Sequence, residues 1–175
     1  SDLGLKSLGI EYADVLLLGY YSKTPVEKLL EGALRLKEQG KVRFIGISSH
    51  NRRLFPELTK QGIIDIYHVR YNAAHRGAET EVFPYISGDE RPGVVSFTAT
   101  CLRKLLNRKK MPQDEEPMSP EECYRFVLSN PAVDICMMGA RNRQEMEENL
   151  NVLDMAPFSP AEMERANRIG DYLHR

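Results

Sequence analysis

Tryptophan is absent, cysteine occurs three times, and neither sign of charge prevails among the 175 residues, whose net charge is −1. That balance gives no electrostatic reason to expect a nucleic acid or an anionic membrane surface as partner. No apolar run approaches the roughly 18 residues of a bilayer span. The opening SDLGLKSLG has neither the basic nor the apolar region of a signal peptide. There is no C-x-x-C pair, and Cys101, Cys123 and Cys136 are widely spaced. A metal ion or cluster would need tighter clustering or histidines at ligand spacing, which His68 and His75 do not provide. The expectation is a cytoplasmic protein with reduced thiols and no metal site.

What is present is an ordinary globular composition, 42% hydrophobic and 28% charged, over a length that suits one domain spanning residues 1–175. Short apolar runs alternate with amphipathic stretches. The runs are Asp14–Leu18, Arg43–Ile47, Asp65–Val69, Val94–Thr98 and Asp134–Met138, the scale of βα units. None alternates strictly, which predicts strands buried on both faces. Between them, T-P-V-E at Thr24–Glu27, S-P-E-E at Ser119–Glu122 and S-P-A-E at Ser159–Glu162 read as helix-opening capping boxes. Val26, Leu29, Leu30, Ala33 and Leu36 form one apolar stripe that Gly40 stops, and Cys123, Phe126 and Val127 form another. Further helices are expected over Arg53–Lys60, Ala78–Ile86, Asn142–Leu153 and Pro160–Leu173, with Asn107–Met118 as an exposed excursion. Strands each followed by a helix give a parallel α/β sheet. Periodicity leaves open whether it is doubly wound or part of a (β/α)8 barrel, a full barrel taking about 250 residues.

Several segments resemble the aldo-keto reductases, in family order. SLGIEYADVLLL is similar to the helix and fourth strand of that barrel, GKVRFIGISSHN to the fifth strand, and DIYHVRYNAAHRGAE to the sixth. PGVVSFTAT stands at the seventh strand. RFVLSNPAVDICMMGARNRQEMEENL resembles the eighth strand, the phosphate loop and the adenosine-side helix. The resemblance implies a TIM-barrel type α/β fold, here an incomplete barrel of about five parallel βα units plus a C-terminal helix. It implies an NAD(P)H-dependent reduction of an aldehyde or ketone to an alcohol, with a Tyr as general acid supported by Lys, Asp and His. The Asp, Tyr and Lys belong to the first three units, which would precede residue 1, so this chain would carry mainly the cofactor-binding half.

By the same resemblance Ser48 and Ser49 stand at the pair that holds the nicotinamide carboxamide, Ser49 in place of Asn. His68 falls at a further carboxamide contact, or is a core histidine. Phe97 stands where a Tyr stacks on the nicotinamide, or is only a barrel side chain. Gly139 and Ala140 occupy the loop that grips a 2′-phosphate in many members, without its lysine. Arg141, Asn142 and Arg143 follow, Glu145 replaces a common Arg, and Glu148 and Asn149 match the adenine contact. The implied cofactor is NADP(H), with NAD(H) as competitor. Arg70 and Arg76 either bind an anionic carbonyl substrate or brace a loop through Glu79 or Asp65. In the family pattern D-x-x-x-L-H, the residue leaving the fourth strand is the His that polarises the carbonyl, and here it is Gly19. Either Tyr20, Tyr21, His50 or His68 takes its place, or the carbonyl chemistry is altered or lost.

Two readings from different classes follow: a carbonyl reductase acting on a small molecule, and a nucleotide-binding pseudoenzyme or regulatory subunit. An unrelated barrel lyase or isomerase is the third, against which the eighth-unit motif argues. Open sheet edges would make a five-strand segment prone to homo-oligomerise.

Overall fold

The computed structural model describes residues 2–88 and 90–174. Five parallel strands form one sheet in the order β1-β2-β3-β4-β5: β1 (Ala13–Tyr20), β2 (Val42–Ser49), β3 (Ile66–Arg70), β4 (Gly93–Phe97) and β5 (Ile135–Cys136). The helices are α1 (Asp2–Leu8), α2 (Glu27–Glu38), α3 (Leu54–Thr59), α4 (Ala78–Glu81), α5 (Pro120–Leu128), α6 (Arg143–Leu150) and α7 (Pro160–His174). Short 3₁₀ turns at Phe83–Tyr85, Lys104–Leu106, Arg108–Lys110 and Asn151–Asp154 fill the connections. This βα succession is the barrel-type α/β class expected from the sequence. The chain divides into two compact units, one running to Val69 with Glu81–Gly93, the other comprising Arg70–Thr80 and Val94 onward.

In the first unit the helices cover one face of the sheet. Ile45, Ile47, Leu54, Phe55, Leu58, Tyr67 and Val69 are buried there. The Tyr67 hydroxyl lies 2.9 Å from Thr59 Oγ1 and donates to the Phe55 carbonyl at 3.2 Å. Burial raises its pKa to about 12. On the other face Val15, Leu17 and Phe44 are 41–44% exposed, so the expectation of burial on both faces fails for β1 and β2. The alternation was hidden because apolar residues occupy both faces of these strands.

An aspartate at the strand entrance fixes the register twice. Asp65 donates its backbone N–H to the Ile45 carbonyl at 2.8 Å and accepts the Ile45 N–H on its carboxylate at 2.8 Å. Asp134 does the same with Val94, at 3.0 and 2.7 Å. Lys37 neutralises Asp65 at 2.7 Å.

Helix starts follow the capping grammar in part. Ser119 and Glu122 form the reciprocal box that opens α5, and Ser159 and Glu162 exchange the same bonds ahead of α7. The box expected at Thr24–Glu27 does not form. Val26 is the N-cap and no side chain caps α2, because the helix begins at Glu27 rather than at Pro25. The stretch Asn107–Met118 is held down rather than loose: Met111 and Met118 are buried, and Arg108 donates to the carbonyls of Pro112, Gln113 and Glu115.

The second unit buries Tyr71, Val94, Leu105, Phe126 and Ile169. Tyr71 donates to Glu79 at 2.6 Å and accepts from Asn130 at 3.2 Å. Arg125 lies over the Phe158 ring and binds Glu162 at 2.6 Å. The Glu162 carboxyl is drawn from 4.5 down to about 2 by the Ser159 backbone N–H and hydroxyl and then by Arg125. A folded value below the unfolded one stabilises fully above about pH 4.5 and loses that effect as pH falls toward about 2. Thermal melts across this window are expected to show a falling midpoint for the native chain and a shallower fall for Glu162→Gln.

Candidate functional site

At the C-terminal end of β1 the ladder carries an extra residue. Leu17 pairs with Gly46 and Tyr20 with Ser48, so three steps on β1 match two on β2. Gly19 sits in this bulge at φ 105°, a conformation L side chains rarely adopt. In an unbroken strand residue 19 would stand opposite Ser48, and the bulge gives that register position to Tyr20. Ser48 in turn pairs with His68 on β3. Tyr20, Ser48 and His68 therefore form one row across the three strands of the first unit: a phenol, a hydroxyl and an imidazole. Burial lowers the His68 pKa, which keeps the ring neutral. His50 meets the Tyr20 ring edge-on at 5.1 Å.

The other expected residues of this end divide. Ser49 is buried and committed locally, accepting the Asn51 N–H at 2.9 Å. The Tyr21 backbone N–H donates to the Ser48 carbonyl at 2.9 Å, extending the β1–β2 ladder. Because Gly19 has positive φ, Gly19→His is expected to lower stability by about 1–2 kcal/mol. Urea midpoints measure this loss.

In the second unit a cavity of about 450 Å³ opens between the segment after β4 and α6. Thr98, Leu102, Arg103, Tyr124, Gly139 and Asn149 are on its wall, with Arg141, Glu145 and Glu148. Thr98, Cys101, Leu102 and Arg103 all have φ between 50° and 66°. Four non-glycine residues in the left-handed region store strain, which proteins keep at functional sites. Phe97, half-buried, ends β4 just before this segment.

α6 begins at the cavity. Asn142 is its N-cap, accepting the Glu145 N–H at 2.8 Å. Glu145 accepts the Arg141 backbone N–H and Nε, both at 2.9 Å, and also its Nη2. Arg143 points to solvent, 91% exposed and paired with Glu147 at 2.7 Å. Glu148 accepts from Gln144 at 2.9 Å. Asn149 is only 4% exposed. Ala140 is half-buried in the loop between β5 and α6. The sequence pattern Asn142-x-x-Glu145 announces the cap. Glu145's hold on Arg141, a residue outside the helix, had no such signal.

One other candidate settles into a structural role. Arg76 pairs with Asp171 at 2.5 Å, not with the expected Glu79 or Asp65, because Glu79 is taken by Tyr71. Arg70 is half-buried at the end of β3. Cys101 Sγ lies 3.7 Å from His75 Nδ1, yet the same nitrogen contacts Asn72 Oδ1 at 3.1 Å. Asn72 Nδ2 donates to the Thr98 carbonyl, which fixes Oδ1 as the acceptor. His75 Nδ1 therefore carries a proton toward Asn72 and cannot deprotonate the thiol, whose pKa burial raises. Among the described residues no group of three or more His, Cys, Asp or Glu could hold a metal ion. No helix there is long and apolar enough to cross a membrane.

The parallel βα units place the chain in the barrel-type α/β class. Residues 101–171 match the model of the aldo/keto reductase family. A stretch of 84 residues is 30% identical to an NADH-specific methylglyoxal reductase of Escherichia coli (strain K12), covering 46% of this chain and 26% of that protein. An aldo-keto reductase of Bacillus halodurans superposes with a TM-score of 0.78 at 21% identity, covering 96% of this chain and 65% of that one. An aldo/keto reductase of Klebsiella pneumoniae, solved with NADP and acetate, gives 0.75 at 18% identity over 97% and 63%. The chain thus spans less than two thirds of the length of each of these relatives.

Proposed function

We propose that this chain is the cofactor-holding portion of an NAD(P)H-dependent carbonyl reductase of the aldo-keto reductase type, acting on a small aldehyde or ketone. We take residues 1–175 as the C-terminal portion of its barrel. The observation that carries the reading is the second-unit cavity, where a helix N-terminus, a strained segment and a buried amide meet. The donor set fits a dinucleotide. Asn149 offers an amide for a base edge, Arg103 a cation for a phosphate group, and Tyr124 and Leu102 apolar surface for a ring. Phe97 supplies an aromatic face near the end of β4.

A bound reduced dinucleotide would supply the hydride. The chain's own part is to hold and move a proton. Tyr20 Oη offers a hydrogen bond to the carbonyl oxygen, Ser48 is the neighbouring hydroxyl that orients it, and neutral His68 is an acceptor and donor in the same row. A tyrosine at the register position expected for a histidine keeps a proton donor in place. The family resemblance assigns the general acid to a Tyr in the units expected before residue 1, so Tyr20 is the group that orients and polarises the carbonyl.

Gly19 in place of the family's histidine favours a second reading, a nucleotide-binding subunit without catalysis. Cytoplasmic placement rests on the free thiols. Exposed Val15 and Leu17 on β1 favour association with another copy.

Two measurements on the intact protein separate these. Titration with NADH and NADPH, read by reduced-nicotinamide fluorescence, is expected to saturate. Oxidation of the dinucleotide dependent on an aromatic aldehyde is expected to accompany it. Binding without turnover would select the subunit, and no binding of either dinucleotide would end both readings.

A further inference from the structure

We propose that the C-terminal strand ends of the first unit receive carbonyl substrates that carry a second, anionic group, a carboxylate or a phosphate, with Arg53 as the residue that selects them. This rests on the carbonyl-reductase reading above and names the substrate class at the Tyr20 row.

The segments that leave the C-terminal ends of β1 and β2 are 21–26 and 50–53. They carry Lys23, Arg52 and Arg53 and contain no Asp or Glu. Asn51 ties them together, its Nδ2 donating to the Ser22 carbonyl at 2.9 Å. The Asn51 N–H donates to Ser49 Oγ, which anchors the second segment to the end of β2. His50 opens that segment and is the ring that meets Tyr20 edge-on. The cations therefore stand on the same short segments as the aromatic pair.

A single carboxylate answers the two arginines. Arg52 Nη2 donates to Glu81 at 2.8 Å, while Arg52 Nε is buried without an acceptor. The Arg52 hydrogen bond, then the charges of Arg52 and Arg53, hold the Glu81 carboxyl below the usual carboxylate range. One negative charge is thus shared between two positive ones. Arg53 and Lys23 are exposed, and among the described residues neither side chain forms an ion pair or a hydrogen bond. Glu57, one helical turn beyond Arg53, is not bound to it. Excess positive charge beside the Tyr20 row draws anions toward it. The guanidinium fork matches two oxygens of a carboxylate or a phosphate. Tyr20 and His50, both exposed, offer aromatic surface to a planar substrate.

The test is steady-state reduction by the intact protein, with NADH and with NADPH, of three aldehydes at low ionic strength. They are para-formylbenzoate, para-formylphenyl phosphate and the neutral para-formylbenzamide. The kcat/KM of at least one anion is expected to exceed that of the amide about tenfold, mainly through KM. The larger of the two anion values names the group. The amide draws electrons more strongly than either anionic substituent, so intrinsic reactivity works against this preference. Arg53→Gln is expected to lower the anion-to-amide ratio about tenfold, and Arg53→Lys by less than about threefold. Equal kcat/KM for the three, or a preference for the amide, would overturn the proposal while leaving carbonyl reduction standing. A native preference for an anion that Arg53→Gln leaves intact would overturn Arg53 as its cause. Turnover of none of the three would overturn both readings. Should the variants fail to fold by circular dichroism, the native protein decides through salt: a preference that shrinks as salt rises supports the proposal, and one indifferent to salt overturns it.

Discussion

Gly170→Ala is expected to destabilise the second unit by about 3 kcal/mol, the upper end of what overpacking usually costs. Alanine ordinarily improves a helix interior by about 0.5–1 kcal/mol over glycine, so the sign itself is the prediction. Gly170 lies within α7, and a Cβ there would come within 1.8 Å of the Ala73 carbonyl oxygen and 3.0 Å of the Ala74 nitrogen. The opposing backbone cannot step aside easily. Asn72 Oδ1 holds the N–H groups of Ala74 and His75 at 3.0 Å, and Asn72 Nδ2 is anchored to the Thr98 carbonyl at 2.8 Å. Gly32 in α2 is the control, since nothing lies within 4 Å of a Cβ there. Urea midpoints should fall for Gly170→Ala and hold or rise for Gly32→Ala. A neutral Gly170→Ala would show that α7 does not press on residues 73–74.

Tyr20→Phe is expected to lower kcat on the order of 100-fold, the usual contribution of one hydrogen-bond donor to a developing oxyanion, with KM little changed. The ring contact with His50 survives the substitution, so the fold and the local packing should not respond. Tyr21→Phe is the comparison: Tyr21's backbone serves the ladder, but the row Tyr20–Ser48–His68 does not include it. Equal turnover by native chain and Tyr20→Phe would remove the row from the chemistry.

Much of this architecture is legible in the residues themselves. Two strands open just after an aspartate, and there Asp65 and Asp134 lock the neighbouring strand. The motif around α6 is also plain, because capping by Asn142 is local and local chemistry reads directly from spacing. Less visible are features set by pairing between strands. Gly19 reads as the end of a strand. Only the ladder reveals that it sits within β1 and hands its register position to Tyr20. β5 is expected to span five residues and has two, because after the Met137 N–H bonds the Ser96 carbonyl the chain leaves the ladder for the loop that reaches α6. The strained run from Thr98 to Arg103 contains no glycine to announce it. Likewise Met111 and Met118 look like parts of a polar excursion until the core they fill is seen.

Hydrogen–deuterium exchange of the intact protein with and without excess NADH tests most directly whether the second-unit cavity holds a dinucleotide. The expected result is protection of the amides of Thr98–Arg103 and of Gly139–Asn149, with α2 unchanged. Unaltered exchange in both wall segments, or protection confined to other parts of the chain, would contradict it.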